Sequence, residues 1–201
     1  MDSLKVNEFV KVLGSSEPVP GGGGASALAG ALGAALGSMV GSLTVGKKKY
    51  ADVEDDIKAR MDEAGRISEA LLACINKDAE MFMPLAEAYR IPKDEPGRDE
   101  LMEKCLRDAA ATPLEIMELS AKAIELLEDF AAKGSKLAVS DAATGAALCR
   151  GALQGAAVNV KVNTRLMKDR DYAADLDRKA DAILSEYNTR ADAIFRSYYG
   201  D

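Results

Sequence analysis

Histidine is absent from the 201 residues, and so is tryptophan. Without imidazole there is no Ser-His or Cys-His nucleophilic pair and no histidine-built zinc site, so any catalytic group has to be a carboxylate, a lysine or another non-histidine side chain. Cysteine is scarce too: Cys74, Cys105 and Cys149 are odd in number, far apart and form no CxxC spacing. They read as reduced thiols filling small apolar positions in a cytoplasmic protein. Aromatics make up only 5% of a chain that is 48% hydrophobic. The core must therefore be Leu, Ile, Val, Met and many Ala, a composition that suits close-packed helices. Positive charge is in deficit as well. A net charge of -7 argues against general nucleic-acid binding, and any anionic ligand needs a local basic cluster. The start, MDSLKVNEF, lacks the basic region and apolar run of a secretion signal.

Strand signals are few, while helical spacing recurs throughout. The expectation is an all-α, single-domain bundle of about six helices spanning residues 1–201. The first runs near Ser3 to Leu13 and stops at Gly14. After SSEPVPGGGG, the second runs from about Gly23 to Val45. KKKYAD separates it from a long third helix ending near Arg90, and IPKDEPG is the clearest break. The fourth starts near Arg98 and meets Thr112-Pro113-Leu114-Glu115, where a Thr cap and a first-turn Pro predict a kink or restart. It ends near Lys133. The fifth covers about Asp141 to Met167 and the sixth, charged and partly exposed, about Asp169 to Tyr199.

From Pro18 to Gly46 the chain carries no charge, which is long enough for a membrane span. Its many Gly, Ala and Ser residues make it too weakly hydrophobic for one, so no membrane partner is expected. Leu28, Leu32, Leu36, Met39 and Leu43 form one stripe, with Gly33, Gly37 and Gly41 roughly opposite, so both faces look packed. The fifth helix repeats the theme with Gly145, Gly151 and Gly155. Such small-residue helices belong in the core or at a homodimer interface.

Several segments could carry chemistry. Gly41 to Lys48 nearly matches a phosphate-binding loop, but Lys48 stands where the magnesium-binding Ser or Thr should be, and the segment closes a helix instead of opening one. Gly21, Gly22, Gly23 and Gly24 are more informative. A glycine run just before a helix exposes N–H groups at the positive end of its dipole and can receive a carbonyl oxygen or an anion, or can simply let the chain turn. In the third helix Ile57, Met61, Ala64, Ser68, Leu71, Ile75, Asp78, Phe82, Leu85 and Tyr89 form one seam, interrupted by a single carboxylate. Asp78 there requires a cationic partner, a ligand or a raised pKa. Ser140 and Asp141 precede an alanine-rich helix that either can cap. Asn159 and Asn163 lie one turn apart, opposite Arg150, Gln154 and Lys161. Two amides on a small-residue face suit a heterocycle with alternating donors and acceptors, and equally a bridge between helices.

Taken together, PVPGGGGASALAGALGAALGSMVGSLTVGKKKY, INKDAEMF, AYRIPKD, TPLEIME and SDAATGAALCRGALQGAAVNVKVNT resemble, in order, segments of the formimidoyltetrahydrofolate cyclodeaminase and methenyltetrahydrofolate cyclohydrolase family. The resemblance covers nearly all of the chain up to Lys168. One departure is Gly134-Ser135, where an Asn commonly follows the glycine. The resemblance implies an all-helical, usually homodimeric fold, a folate substrate and no metal or organic cofactor. It leaves two reactions: hydrolysis of 5,10-methenyltetrahydrofolate to 10-formyltetrahydrofolate, or deamination of 5-formiminotetrahydrofolate. The first is favoured because no formiminotransferase domain accompanies the chain. A non-catalytic folate-binding or helical interaction module is the rival of another class. The residues fit the chemistry, since a cationic amidinium carbon needs an anion and a proton carrier beside it. Asp78 and Asp141 are the catalytic candidates. Gly21 to Gly24, Ser140, Asn159 and Asn163 are candidates for substrate binding, and Lys47, Lys48 and Lys49 for the mono- or polyglutamyl tail.

Overall fold

The faces on which glycine and alanine lie decide where these helices touch. A computed structural model describes residues 1–200. It contains α1 (Val6–Leu13), α2 (Gly22–Ser42), α3 (Glu54–Ala88), α4 (Arg98–Lys133), α5 (Val139–Thr164) and α6 (Arg170–Tyr199), with short 3-10 turns at Lys48–Val53 and Lys136–Ala138. No strand occurs among the described residues. The all-helical expectation is met.

α2 packs against α3, α4 and α5, and α5 packs in turn against α4 and α6. The α2–α5 crossing rests on reciprocal backbone contact: a Cβ on Gly33 would lie 2.8 Å from the Gly145 carbonyl oxygen, and one on Gly145 would lie 2.9 Å from that of Gly33. Cys149 fills the same crossing, its Sγ 2.4 Å from where a Cβ on Gly33 would lie, so a small apolar thiol fits there. Further along α2, Gly37 and Gly41 lie against the ring of Phe130 on α4. Phe130 is fully buried, as are Leu71, Ile75, Ile124, Leu127 and Leu153 elsewhere in the core, and Leu127 shares the contact with Gly37.

The two stripes of α2 therefore have different fates. The glycine stripe closes the core within one chain. The leucine stripe, expected to be packed as well, divides: Leu32 is 50%, Met39 48% and Leu43 41% exposed, while Leu28 and Leu36 are half-buried and Leu28 packs against the core. By length and composition α2 could cross a membrane, but its small-residue side is buried against the neighbouring helices.

Three local expectations need correction. α4 is one continuous helix through Pro113, and Thr112 is buried inside it instead of capping a new one. Packing of α4 against both α3 and α5 holds the two halves together, and the carbonyl that Pro113 leaves unpaired finds a partner described below. α2 ends at Ser42, three residues early, and Gly46 turns the chain with φ +77°. α5 begins at Val139 with Ala138 as its N-cap, so Ser140 and Asp141 lie within its first turn and do not cap it. The side of α5 carrying Arg150, Gln154 and Lys161 faces α6, bonding Asp192, Asn188 and Asp177. Asp169 caps α6, accepting the Tyr172 N–H at 3.0 Å.

Candidate active site

The N-terminus of α2 opens on a cavity of about 250 Å³ lined by Gly21, Gly22 and Gly23, by Asp78 and Phe82 of α3, by Ala109 and Pro113 of α4, and by Asn159, Val162 and Asn163 of α5. Pro18 and Val19 close one side. The Ala25 N–H bonds the Gly21 carbonyl and begins the helical ladder, leaving the N–H groups of Gly22, Gly23 and Gly24 without partners inside the helix. No side chain of the Gly21 cap satisfies them. These donors sit at the positive end of the helix dipole.

Asp78 crosses to this helix end from α3. A Cβ on Gly23 would lie 2.2 Å from its Oδ1, so the carboxylate rests directly on the Gly23 backbone. Burial pushes its pKa above the ordinary carboxylate value, while a hydrogen bond from the Gly24 N–H partly opposes the rise. Among the described residues it has no ion-pair partner within 4.0 Å, so of the partner, ligand and raised-pKa readings the structure shows the raised pKa and no cationic partner. Lys77, its neighbour, is paired with Glu115.

Pro113 explains the position of Asn163. Lacking an N–H, it frees the carbonyl of Ala109 one turn earlier, and Asn163 Nδ2 donates to that oxygen at 3.2 Å. The same Nδ2 donates to the Asn159 carbonyl at 3.0 Å, and Asn159 Nδ2 donates to the Gly155 carbonyl at 2.8 Å. With the amide nitrogens engaged, each asparagine has its Oδ1 to offer a ligand. Gly22 leaves room for this arrangement, since a Cβ there would lie 2.9 Å from Asn159 Nδ2. The cavity thus combines three acceptors, two side-chain amide oxygens and a carboxylate, with the free N–H groups of a helix terminus. Such a site suits a planar ligand that presents several donors and carries positive charge.

The other candidates lie elsewhere. Asp141 is 18 residues before Asn159 on α5, about 27 Å along the axis, and Ser140 is beside it. Lys47, Lys48 and Lys49 follow the far end of α2, about 30 Å from Gly22. There Lys47 Nζ lies 3.4 Å from Ser135 Oγ, Lys49 lies over the Tyr50 ring, and the Tyr50 hydroxyl accepts the Lys136 N–H at 3.1 Å. Within one chain, then, Asp78, the glycines and both asparagines are brought together, while Asp141, Ser140 and the lysines form a second group at the opposite end. Phe82, Val162 and Pro113 were not singled out for the site. Phe82 could have been found from its position one turn after Asp78. Pro113 could have been found by asking which carbonyl a mid-helix proline leaves unpaired.

A profile of the formiminotransferase-cyclodeaminase family matches residues 5–182. The chain belongs to that family. It is 35% identical, over 96% of its length and 94% of the relative's, to a methenyltetrahydrofolate cyclohydrolase of Methylorubrum extorquens. It is 34% identical to a formimidoyltransferase-cyclodeaminase of Dictyostelium discoideum over 90% of the chain, but spans only 34% of that longer relative. A crystal structure of formiminotetrahydrofolate cyclodeaminase from Thermotoga maritima superposes with a TM-score of 0.86, covering 98% of each chain at 26% identity. In this cyclodeaminase-family chain the pocket at the α2 N-terminus draws residues from four helices.

Proposed function

We propose that this protein hydrolyses 5,10-methenyltetrahydrofolate to 10-formyltetrahydrofolate in the cytoplasm. The observation that carries the reading is the unpaired Asp78 carboxylate, held against the glycine terminus of α2 in a pocket whose side chains offer mainly acceptors. The near-full-length likeness to a cyclohydrolase supports it. In this reading the methenyl carbon, cationic between two nitrogens, sits beside Asp78. The carboxylate takes a proton from a water molecule as its oxygen bonds to that carbon. Asp78 then gives the proton to N5 as the N5–carbon bond breaks, and the hydroxyl of the tetrahedral intermediate loses its proton to become the formyl carbonyl on N10. One water is consumed and one proton released. Asn159 and Asn163 accept from the donor edge of the pterin, and the Gly22 and Gly23 N–H groups stabilise the oxygen as it gains charge.

The reaction needs no metal or organic cofactor in this reading. The protein works as a homodimer, and the exposed part of the leucine stripe of α2 supplies the apolar face such an assembly would bury. Deamination of 5-formiminotetrahydrofolate is the second reading, favoured by the full-length likeness to the Thermotoga enzyme. It uses the same carboxylate to move a proton to the departing ammonia. Assay of both folates, following methenyl absorbance and ammonia, decides between them. Loss of methenyl absorbance without ammonia release is the expected result. Ammonia released from the formimino substrate alone would establish the deaminase instead, and inertness toward both would leave a folate-binding module.

A further inference from the structure

Three consecutive glycines make a weak start for a helix. Glycine loses more backbone freedom on folding than any other residue, and the Gly21 cap has no side chain to hold the first turn. Left to itself, the turn that offers N–H groups to the pocket would fray. Ser26 opposes this. Only 7% exposed, it donates its hydroxyl to the Gly22 carbonyl at 2.7 Å, a bond that closes on the first residue of α2.

The hydroxyl is seated from behind by α5. A Cβ on Gly155 would lie 2.3 Å from Ser26 Oγ, so the bare Gly155 backbone is the surface against which the hydroxyl rests. The same residue serves the other half of the site. Its carbonyl accepts Asn159 Nδ2 at 2.8 Å, and that Nδ2 lies 2.9 Å from where a Cβ on Gly22 would be. Gly22, Ser26, Gly155 and Asn159 thus form a closed ring between α2 and α5. Two of its links are hydrogen bonds, and two are close approaches that a side chain on either glycine would block.

We propose that Ser26 and Gly155 are positioning residues for the reaction: they clamp the first turn of α2, so that the Gly22 and Gly23 N–H groups and the Asn159 amide meet the substrate in fixed register. Neither residue lines the cavity. Ser26 acts through the Gly22 backbone, and Gly155 acts by leaving the space that Ser26 Oγ occupies. What the N–H groups and the amide do to a substrate rests on the folate reading, whereas the clamp rests on the contacts alone.

A double-substitution cycle tests it. Ser26→Ala should lower kcat for methenyltetrahydrofolate about tenfold, because the N–H groups act on charge that develops in the transition state, and should move KM less than about twofold. Its melting temperature should change little, since the greater helix propensity of alanine offsets the lost hydroxyl bond. Amide hydrogen exchange at the start of α2, read by mass spectrometry without substrate, should quicken. Gly155→Ala keeps the carbonyl that holds Asn159 but puts a methyl 2.3 Å from Ser26 Oγ, so it should turn the hydroxyl off Gly22 and slow kcat at least as much. With both changes the methyl meets only the Cβ at position 26, at an ordinary 3.5 Å, and the double variant should be no slower than Ser26→Ala. Losses that multiply in the double variant would mean that Gly155 acts independently of Ser26, which overturns the proposal. So would unchanged exchange in Ser26→Ala, or a melting temperature that falls while kcat holds. A parent inert toward both folates, in which each single change still quickens exchange at the start of α2, upholds the clamp and refutes the functional reading alone.

Discussion

Asp78 is a carboxylate that the fold destabilises in order to place. Its pKa in the folded chain is raised, chiefly by burial, so the native state holds a proton that the unfolded chain has already released. In that window stability falls as pH rises, from the unfolded carboxylate value near 4 up to the raised folded value, and stays lower above it. Removing the charge relieves this penalty. Asp78→Asn is therefore expected to melt at or above the parent temperature at pH 7, with the two curves converging below about pH 4. Its kcat should fall by about 100-fold or more, because the swap removes the proton acceptor and the negative charge. Melting temperature and turnover measured on one sample check both halves. A large drop in melting temperature with normal turnover would make Asp78 a tertiary cap for α2 and nothing more. Gly23→Ala probes the same contact from the other side. The new methyl would fall 2.2 Å from Asp78 Oδ1, the end of a short side chain that can swing away, so the fold survives. Displacing the carboxylate by about an ångström should cost on the order of 100-fold in kcat, measurable in the same assay.

At the scale of elements, α4 and α5 are coupled through a missing hydrogen bond. Pro113→Ala returns an N–H to α4, and this donor competes with Asn163 for the Ala109 carbonyl. The amide then loses one of its two holds. With a side-chain hydrogen bond worth about 1 kcal/mol, KM should rise roughly fivefold while kcat changes little. Steady-state kinetics with circular dichroism as a control for helicity would test this, and an unchanged KM would remove Pro113 from the positioning of Asn163. The α2–α5 crossing behaves differently from the pocket glycines. At Gly33 the obstacle is the Gly145 backbone as well as Cys149, and backbone cannot swing aside. Gly33→Ala should cost about 1–3 kcal/mol of stability, visible as a lower denaturant midpoint.

Across the whole molecule, the face that the core leaves uncovered is apolar and lies on the helix that also opens the pocket. The parent should scatter light as twice the 21.3 kDa chain mass. Leu32→Glu puts a charge where the second copy would pack, so it should run as a monomer and lose activity at low protein concentration. Its melting temperature at the same dilution should change little for the isolated chain, since Leu32 is already half exposed there. A dimeric, fully active Leu32→Glu protein would move the interface to another face.

Helix class, the break at IPKDEPG, the reduced buried cysteines and the family were all legible in the amino-acid order, because periodicity, glycine placement and contiguous motifs are local properties. Asp78 was legible too, since a single carboxylate in an apolar seam stands out against its own neighbours. Direction in space was not. Two stripes on α2 are equally apolar to a helical wheel, and only the close approach of Gly33 to Gly145 decides that glycine turns inward and Leu32, Met39 and Leu43 outward. Asp141 reads as a catalytic partner of Asp78 and the lysine run as the holder of the tail of the same substrate, yet helices of 26 and 21 residues carry them to the other end of the bundle. Pro113 reads as a helix break until a side chain from α5 is seen to take the carbonyl it frees. The sequence by itself determined which residues can form helices and which can do chemistry. Only the tertiary structure decided which of them meet, because a helix moves each residue 1.5 Å along its axis and its partners are chosen by the packing of other helices.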